Sequence, residues 1–178
     1  MDKAIAISAS PRPTPYDLLV RQAMRDAITS DPIWNNGEST VQPGTRPVAE
    51  LASLIDISPE VFNKTHQRED VPAAIADMAK AIAQFDANDH LRQSEAMSTH
   101  DISREFGGSM EAAAKVARAK TLIIVSATER IENPGPALSF AKLIRAEVLE
   151  LHNECGQVLS NCDQDKVNSA VAEFLEPR

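Results

Sequence analysis

The segment 151–162, LHNECGQVLSNC, holds the densest set of side chains that could do chemistry. It contains one histidine, one glutamate and both cysteines of the chain. Such residues could bind a metal ion, form a redox pair, or supply a catalytic base and nucleophile. Zinc ligands usually come in close pairs, as C-x₂₋₄-C or H-x₃₋₅-H. Because His152, Cys155 and Cys162 form no such pair and no second pair occurs elsewhere, we predict no metal site.

The two cysteines also lack the C-x-x-C spacing of a redox pair, although such a pair stays an alternative. Cys155 acting as a nucleophile with His152 would need an oxyanion hole and an orienting acid, and the sequence indicates neither. We interpret Cys155 as a small residue beside a sheet and Cys162 as a residue flanking a helix.

Composition limits the classes of partner. The 178 residues fit one domain, and 18 basic against 26 acidic side chains give a formal charge of −8. An acidic surface repels phosphate backbones and anionic lipids, so we expect neither nucleic-acid nor membrane binding. The sequence has no signal-peptide pattern and no apolar run near the roughly 20 residues of a membrane span. We therefore expect a soluble, cytoplasmic protein with reduced thiols.

The elements that must position any site follow from hydrophobic patterns. Apolar runs at 3–8, 121–126 and 147–151 predict three strands, and helical spacing between them predicts the intervening helices. The order helix, strand, helix, strand, helix after residue 109 is typical of a parallel α/β sheet. The proline-containing region from about 38 to 105 predicts a helical cap or insertion within a single domain spanning 1–178.

Two long stretches are characteristic in their motifs and spacing: DKAIAISASPRPTPYDLLVRQAMRDAITSDPIWNNG and FDANDHLRQSEAMSTHDISREFGGSMEAAAKVARAKTLIIVSATE. Both resemble the homoserine O-acetyltransferase family. The resemblance runs through nearly the whole chain but covers only the C-terminal half of the family. It implies a partial α/β-hydrolase fold with about three parallel strands flanked by helices. It also implies acetyl-CoA-dependent transfer to a homoserine or serine hydroxyl in methionine biosynthesis, through a serine, an aspartate and a histidine in that order.

None of the three catalytic residues is found at its expected position. No G-x-S-x-G is present, and Ser109 in GGSM at 107–110 is predicted to be a helix N-cap. Spacing in SATERIENP places Arg130 at the position of the acid, and Glu129 could serve only if the loop shifted by one residue. ECGQV places Gln157 at the position of the histidine. An arginine has no acceptor for an imidazole N–H, and an amide has no titratable base near neutral pH.

We therefore expect a truncated α/β-hydrolase-like domain without catalytic residues, without a metal and without a cofactor. The leading hypothesis is a non-catalytic remnant or pseudoenzyme. The alternative is a subunit or gene fragment of an O-acyltransferase that a separately encoded N-terminal half completes. The strand at 3–8 should then have an exposed edge, through which a homodimer or that N-terminal half-domain would form.

Overall fold

A computed structural model describes residues 2–38, 41–152 and 163–176. These residues form two compact units, one made of Met1–Thr14 with His100–Arg178 and the other of Pro15–Thr99. In chain order the strands and α-helices are β1 Lys3–Ile7, α1 Pro15–Thr29, α2 Thr45–Asp56, α3 Pro59–Thr65, α4 Val71–Ile82, α5 Ala87–Thr99, α6 Met110–Val116, β2 Lys120–Ser126, α7 Pro134–Ile144, β3 Glu147–Leu151 and α8 Gln164–Leu175. In the described part of the chain, no helix is both long and apolar enough to span a membrane.

The first unit is built on a sheet of three parallel strands in the order β1-β2-β3. In the register, Ile5 lies opposite Leu122, and Ile123 lies opposite Val148. β2 is the central strand, and its residues 122–126 are all buried. This arrangement confirms the parallel sheet and the three strands predicted from the apolar runs.

Both faces of the sheet carry a hydrophobic core, because successive side chains of a strand point to opposite faces. On one face Leu122 and Ile124 pack with Val167 and Phe174 of α8. On the other face Ile123 and Val125 pack with Ala137 and Ala141 of α7. The continuous apolar run of β2 is therefore the signature of a strand that is covered on both sides.

Short polar side chains cap the starts of two helices of this unit, α6 and α7. Ser109 Oγ accepts the Ala112 amide at 3.1 Å and starts α6, which confirms the predicted N-cap. Asn133 Oδ1 accepts the Gly135 amide at 2.8 Å at the start of α7. The Asn133 cap lies at the end of the loop that follows β2, so it also restricts the path of that loop.

The second unit is helical, with a core formed by Ile28, Val48, Ala87 and Leu91. These residues come from α1, α2 and α5, which agrees with the helical spacing in the sequence. From its residue type, Asp89 is a candidate N-cap for a helix that runs to about Thr99, and this interpretation is wrong. α5 begins at Ala87, and Asp86 Oδ1 accepts the Asn88 amide at 2.7 Å at that start. The wider limits predicted for a helical insertion, about 38 to 105, stay a prediction.

Candidate functional site

The candidate site lies at the carboxyl ends of β2 and β3. In open parallel sheets the loops at this edge are the ones that bind ligands. β2 ends at Ser126, and the Ala127 amide donates to the carbonyl of Leu151, the last residue of β3, at 2.9 Å. The two loops expected to carry the acid and the base therefore leave adjacent strands at the same edge.

The loop after β2 folds around Ser126. Ser126 Oγ lies 3.1 Å from Thr128 Oγ1, and the Glu129 amide donates to the Ser126 carbonyl at 3.3 Å. These contacts turn the chain back so that the Glu129 side chain enters the protein, leaving the residue only 9% exposed. Glu129 Oε1 then accepts the Ile131 amide at 3.2 Å. The loop thus buries a carboxyl group beside the end of the central strand.

Arg130 comes next in this loop, and its side chain is half-buried. The spacing in the sequence assigns Arg130 to the position of the acid, whereas the buried acidic side chain of the loop is Glu129. Sequence reasoning mentioned Glu129 only for a loop shifted by one residue. Its burial could not be read from the sequence, because Glu129, Arg130 and Glu132 all have polar side chains and no periodic pattern distinguishes them.

The loop after β3 is described only at its start. Gln157, Cys155 and Cys162 lie outside the described residues, so the assignment of Gln157 to the position of the base stays a prediction. His152 follows β3 directly, and its Nε2 lies 3.9 Å from Glu150 Oε2. The His152 side chain is 72% exposed, so this contact contributes little to stability.

The prediction that the chain holds no metal also involves residues of that loop. Within 2–38, 41–152 and 163–176 there is no group of three or more histidine, cysteine, aspartate or glutamate side chains placed to hold a metal ion. Both cysteines lie outside these ranges. The absence of a metal site over the whole chain therefore stays a prediction.

Ser8 ends β1 at the same edge of the sheet and was not singled out from the sequence. Its amide donates to the Ile124 carbonyl at 3.0 Å, and its φ of 45° lies in the left-handed region that side chains other than glycine seldom adopt. Ser8 Oγ is buried and has no hydrogen-bond partner among the described residues. A signal was available in the sequence, because a polar residue replaces the apolar run at the end of this strand.

Asp101, part of the HDISR segment, has a structural role. Its Oδ1 accepts both the Ser103 hydroxyl at 2.6 Å and the Ser103 amide at 2.8 Å. These hydrogen bonds lower the pKa of Asp101, and the nearby Arg12 and Arg104 cations lower it further. The turn before α6 thus holds the Asp101 carboxylate in place through local hydrogen bonds.

The helical unit has a separate buried group of charged side chains. Asp17 and Arg21, one helical turn apart on α1, are both buried. Arg21 Nη1 lies 3.2 Å from Met97 Sδ of α5, and burial lowers the pKa of the Arg21 guanidinium. Burial, followed by the nearby Arg21 cation, lowers the pKa of His90. Sequence reasoning missed this group because it assigned the buried face of α1 to its apolar residues alone.

Several known proteins resemble this chain in sequence and in structure. No protein-family model matches the chain. A serine O-succinyltransferase from Litchfieldella anticariensis is 27% identical over 206 residues, which cover 96% of this chain and 54% of that protein. A homoserine O-acetyltransferase structure from Bacillus anthracis superposes with a TM-score of 0.86 at 20% identity, covering 100% of this chain and 54% of that one. The acetyl esterase MekB superposes with a TM-score of 0.84 at 25% identity, covering 97% and 54%.

The chain is related to these acyltransferases and esterases. It resembles the C-terminal half of them and has the corresponding part of the α/β-hydrolase fold, which confirms the resemblance and the fold class predicted from the sequence. The chain spans about half the length of the curated relatives and solved structures that it matches. The relatives include esterases as well as acyltransferases, a breadth that the sequence motifs alone did not indicate.

Proposed function

We propose that this chain is a non-catalytic relative of the serine-dependent acyltransferases and esterases. The observation that supports the proposal is the spacing in SATERIENP, which assigns Arg130 to the position of the acid. A guanidinium only donates hydrogen bonds and cannot orient an imidazole N–H. Gln157 at the position of the base supports the same conclusion, because an amide takes no proton from a serine near neutral pH. Both positions lie inside the chain, so the proposal does not depend on where the chain begins.

The known effects of removing triad residues support a large loss of catalytic activity. Removing the histidine of a serine-dependent triad lowers kcat by a factor on the order of 10⁶, and removing the acid lowers it by a factor on the order of 10⁴. These factors do not simply multiply, because the triad acts as a unit. The loss of either residue alone would still leave a protein whose turnover is far below that of an ordinary enzyme.

One observation favours a second candidate function, an O-acyltransferase or esterase in which Glu129 is the acid. The Glu129 carboxyl group is buried at the carboxyl end of the central strand and accepts the Ile131 amide, as a carboxylate that orients a histidine would need to be held. This candidate requires a base, and His152 is the described histidine that follows β3. In that case the acyl acceptor would be a serine or homoserine hydroxyl, as the names of the relatives suggest.

A fusion protein distinguishes the two candidate functions. The N-terminal part of the L. anticariensis serine O-succinyltransferase, which this chain does not span, would be fused to residues 1–178. CoA release would be measured with succinyl-CoA or acetyl-CoA and either serine or homoserine. We expect background rates from the unmodified fusion and turnover from the variant that carries both Arg130→Asp and Gln157→His. Turnover by the unmodified fusion that disappears in Glu129→Gln would contradict the proposal and support the second candidate.

The fusion needs controls for folding and for charge. Circular dichroism and a cooperative unfolding transition would show that each fusion is folded. Arg118→Asp combined with Gln157→His is the matched control, because Arg118 is an exposed arginine of the same unit that lies outside the loop after β2. This control should stay at background, whereas a gain equal to that of Arg130→Asp would show that the position of the aspartate is irrelevant.

A further inference from the structure

A methionine at the surface of the helical unit contacts a cation inside it. Met97 Sδ of α5 accepts a hydrogen bond from Arg21 Nη1 of α1 at 3.2 Å. Met97 is 43% exposed, whereas Arg21 is only 6% exposed. Asp17, one turn earlier on α1, is completely buried, and its negative charge favours the Arg21 cation. The contact therefore joins a buried guanidinium to a side chain that solvent reaches.

The thioether is a weak partner for this guanidinium. A methionine sulfur accepts hydrogen bonds poorly, and an arginine has five N–H donors and no acceptor. Burying a charged donor without good hydrogen bonds costs free energy, because the donor has lost its contacts with water. An oxygen atom accepts more strongly than a thioether sulfur, above all from an ionised donor such as a guanidinium. An oxygen bonded to Met97 Sδ would therefore give Arg21 a better acceptor than the one it has.

Oxidation by a peroxide adds such an oxygen. A lone pair of Met97 Sδ attacks one oxygen of hydrogen peroxide, an S–O bond forms, the O–O bond breaks, and the remaining oxygen leaves as water. The sulfur is oxidised to a sulfoxide, and the peroxide is reduced. Arg21 Nη1 donates to one lone pair of the sulfur, so the other lone pair remains for the attack. Because a methionine side chain has three rotatable bonds, the sulfoxide oxygen can then turn towards Arg21.

We propose that Met97 is a site of oxidation by peroxides, and that Arg21 holds the resulting sulfoxide. A sulfoxide usually loosens the contacts of a methionine, because it makes an apolar side chain polar. At Met97 the added oxygen instead accepts from a buried cation, so oxidation strengthens the contact between α1 and α5. The proposal is independent of whether the chain is catalytic, since no residue of the loops after β2 and β3 takes part.

Replacement of Met97 by glutamine or leucine tests the role of the acceptor. Glutamine carries an amide oxygen in place of the sulfoxide oxygen, whereas leucine is apolar and offers no acceptor. Urea unfolding would be followed by the fluorescence of Trp34, the single tryptophan, which lies in the same unit. We expect Met97→Leu to raise the equilibrium constant for unfolding by about fivefold, because Arg21 loses its acceptor. Met97→Gln should leave that constant unchanged or lower it.

Met78 of α4 provides the matched control in the same unit. Its side chain lines a cavity with Ile57 and Phe62, so an oxygen added there meets mainly apolar groups. Met78→Gln should raise the equilibrium constant for unfolding, because a polar group is then buried among them. Met78→Leu should change that constant little, because leucine and methionine have similar volumes. The order of the two replacements at Met78 should therefore be the reverse of their order at Met97.

Treatment of the unaltered chain with hydrogen peroxide tests the modification itself. Peptide mass spectrometry would locate the added oxygen, and we expect Met97 to be oxidised at least about tenfold faster than Met24, which is 9% exposed. Hydrogen exchange would then be compared, in one sample, between α5 peptides that carry the sulfoxide and those that do not. Exchange of the α5 amides should be at least about threefold slower in the oxidised peptides, because a stronger contact with α1 reduces local opening.

Any one of three results would contradict the proposal. The first is oxidation of Met97 at a rate no higher than that of Met24. The second is equal or faster exchange of the α5 amides in the oxidised peptides, which would show that the sulfoxide does not strengthen the contact. The third is a Met97→Gln variant that unfolds as readily as Met97→Leu, which would show that Arg21 gains nothing from an oxygen at this position.

Discussion

Replacing Ile124 with alanine tests how firmly the central strand holds the loop that carries Glu129 and Arg130. Ile124 is 0% exposed in the middle of β2 and packs in the core formed with Phe174 and Leu151. If β2 is the fixed base of the candidate site, loosening it should destabilise the sheet and speed local opening of that loop.

The expected cost follows from burial. The change to alanine removes three carbon groups, each worth about 0.8 kcal/mol when fully buried, or about 2.4 kcal/mol together. The cavity that remains adds about 1 to 2 kcal/mol, which gives a total of about 3.4 to 4.4 kcal/mol. Val148→Ala is the matched control on β3. It removes two carbon groups from a residue that is 45% exposed, so its cost should stay below about 1 kcal/mol.

Hydrogen exchange followed by mass spectrometry is the suitable assay. The single tryptophan and the single tyrosine, Trp34 and Tyr16, belong to the helical unit, so intrinsic fluorescence would report on that unit and not on the sheet. Peptides that cover β2 and its following loop give the free energy of opening directly. A cost below about 1 kcal/mol for Ile124→Ala, or one equal to that of Val148→Ala, would refute the account of β2 as the packed centre of the unit.

Two further predictions concern the ends and the interior of helices. Ser109→Ala should destabilise α6 by about 1 kcal/mol, because the Ala112 amide loses its acceptor, and Ser109→Asp should restore most of that loss in urea unfolding. An unchanged stability in Ser109→Ala would show that the cap is unimportant. His90 has a lowered pKa when folded, so the unfolded chain binds its proton at a higher pH, near 6.5, and stability should fall as pH drops from about 7.5 to 5.5. His90→Gln should reduce this dependence of the unfolding temperature on pH, and a dependence of the same size in the variant would exclude His90 as its source.

Much of the fold could be predicted because its signals are local. The β-branched, apolar run TLIIVS predicts a strand, and Ser109 stands directly before a helical pattern, where a serine hydroxyl can cap the first amides. The last helix of the predicted order is confirmed as α8, where Val167, Val171 and Phe174 recur at helical spacing. Each of these predictions depends on neighbours within a few positions, where spacing and side-chain type determine the backbone.

The site could be predicted less well because it depends on how a loop closes. Spacing in the sequence assigns Arg130 to the position of the acid, and that assignment stays a prediction. What the sequence could not show is that the turn around Ser126 buries the neighbouring Glu129. Hydrogen bonds between a hydroxyl and the main chain make that turn, and no periodic pattern in the sequence records them. The left-handed backbone of Ser8 was missed because a single serine after an apolar run gives no sign of a positive φ.

The most direct test of the central claim is the rate at which the purified, folded chain releases CoA from acetyl-CoA or succinyl-CoA with homoserine or serine as acceptor. The account predicts a rate equal to that of the buffer alone, for the chain by itself and for the chain fused to the N-terminal part of the L. anticariensis serine O-succinyltransferase. Steady turnover near 1 s⁻¹ or faster, within the range of ordinary enzymes, would contradict it.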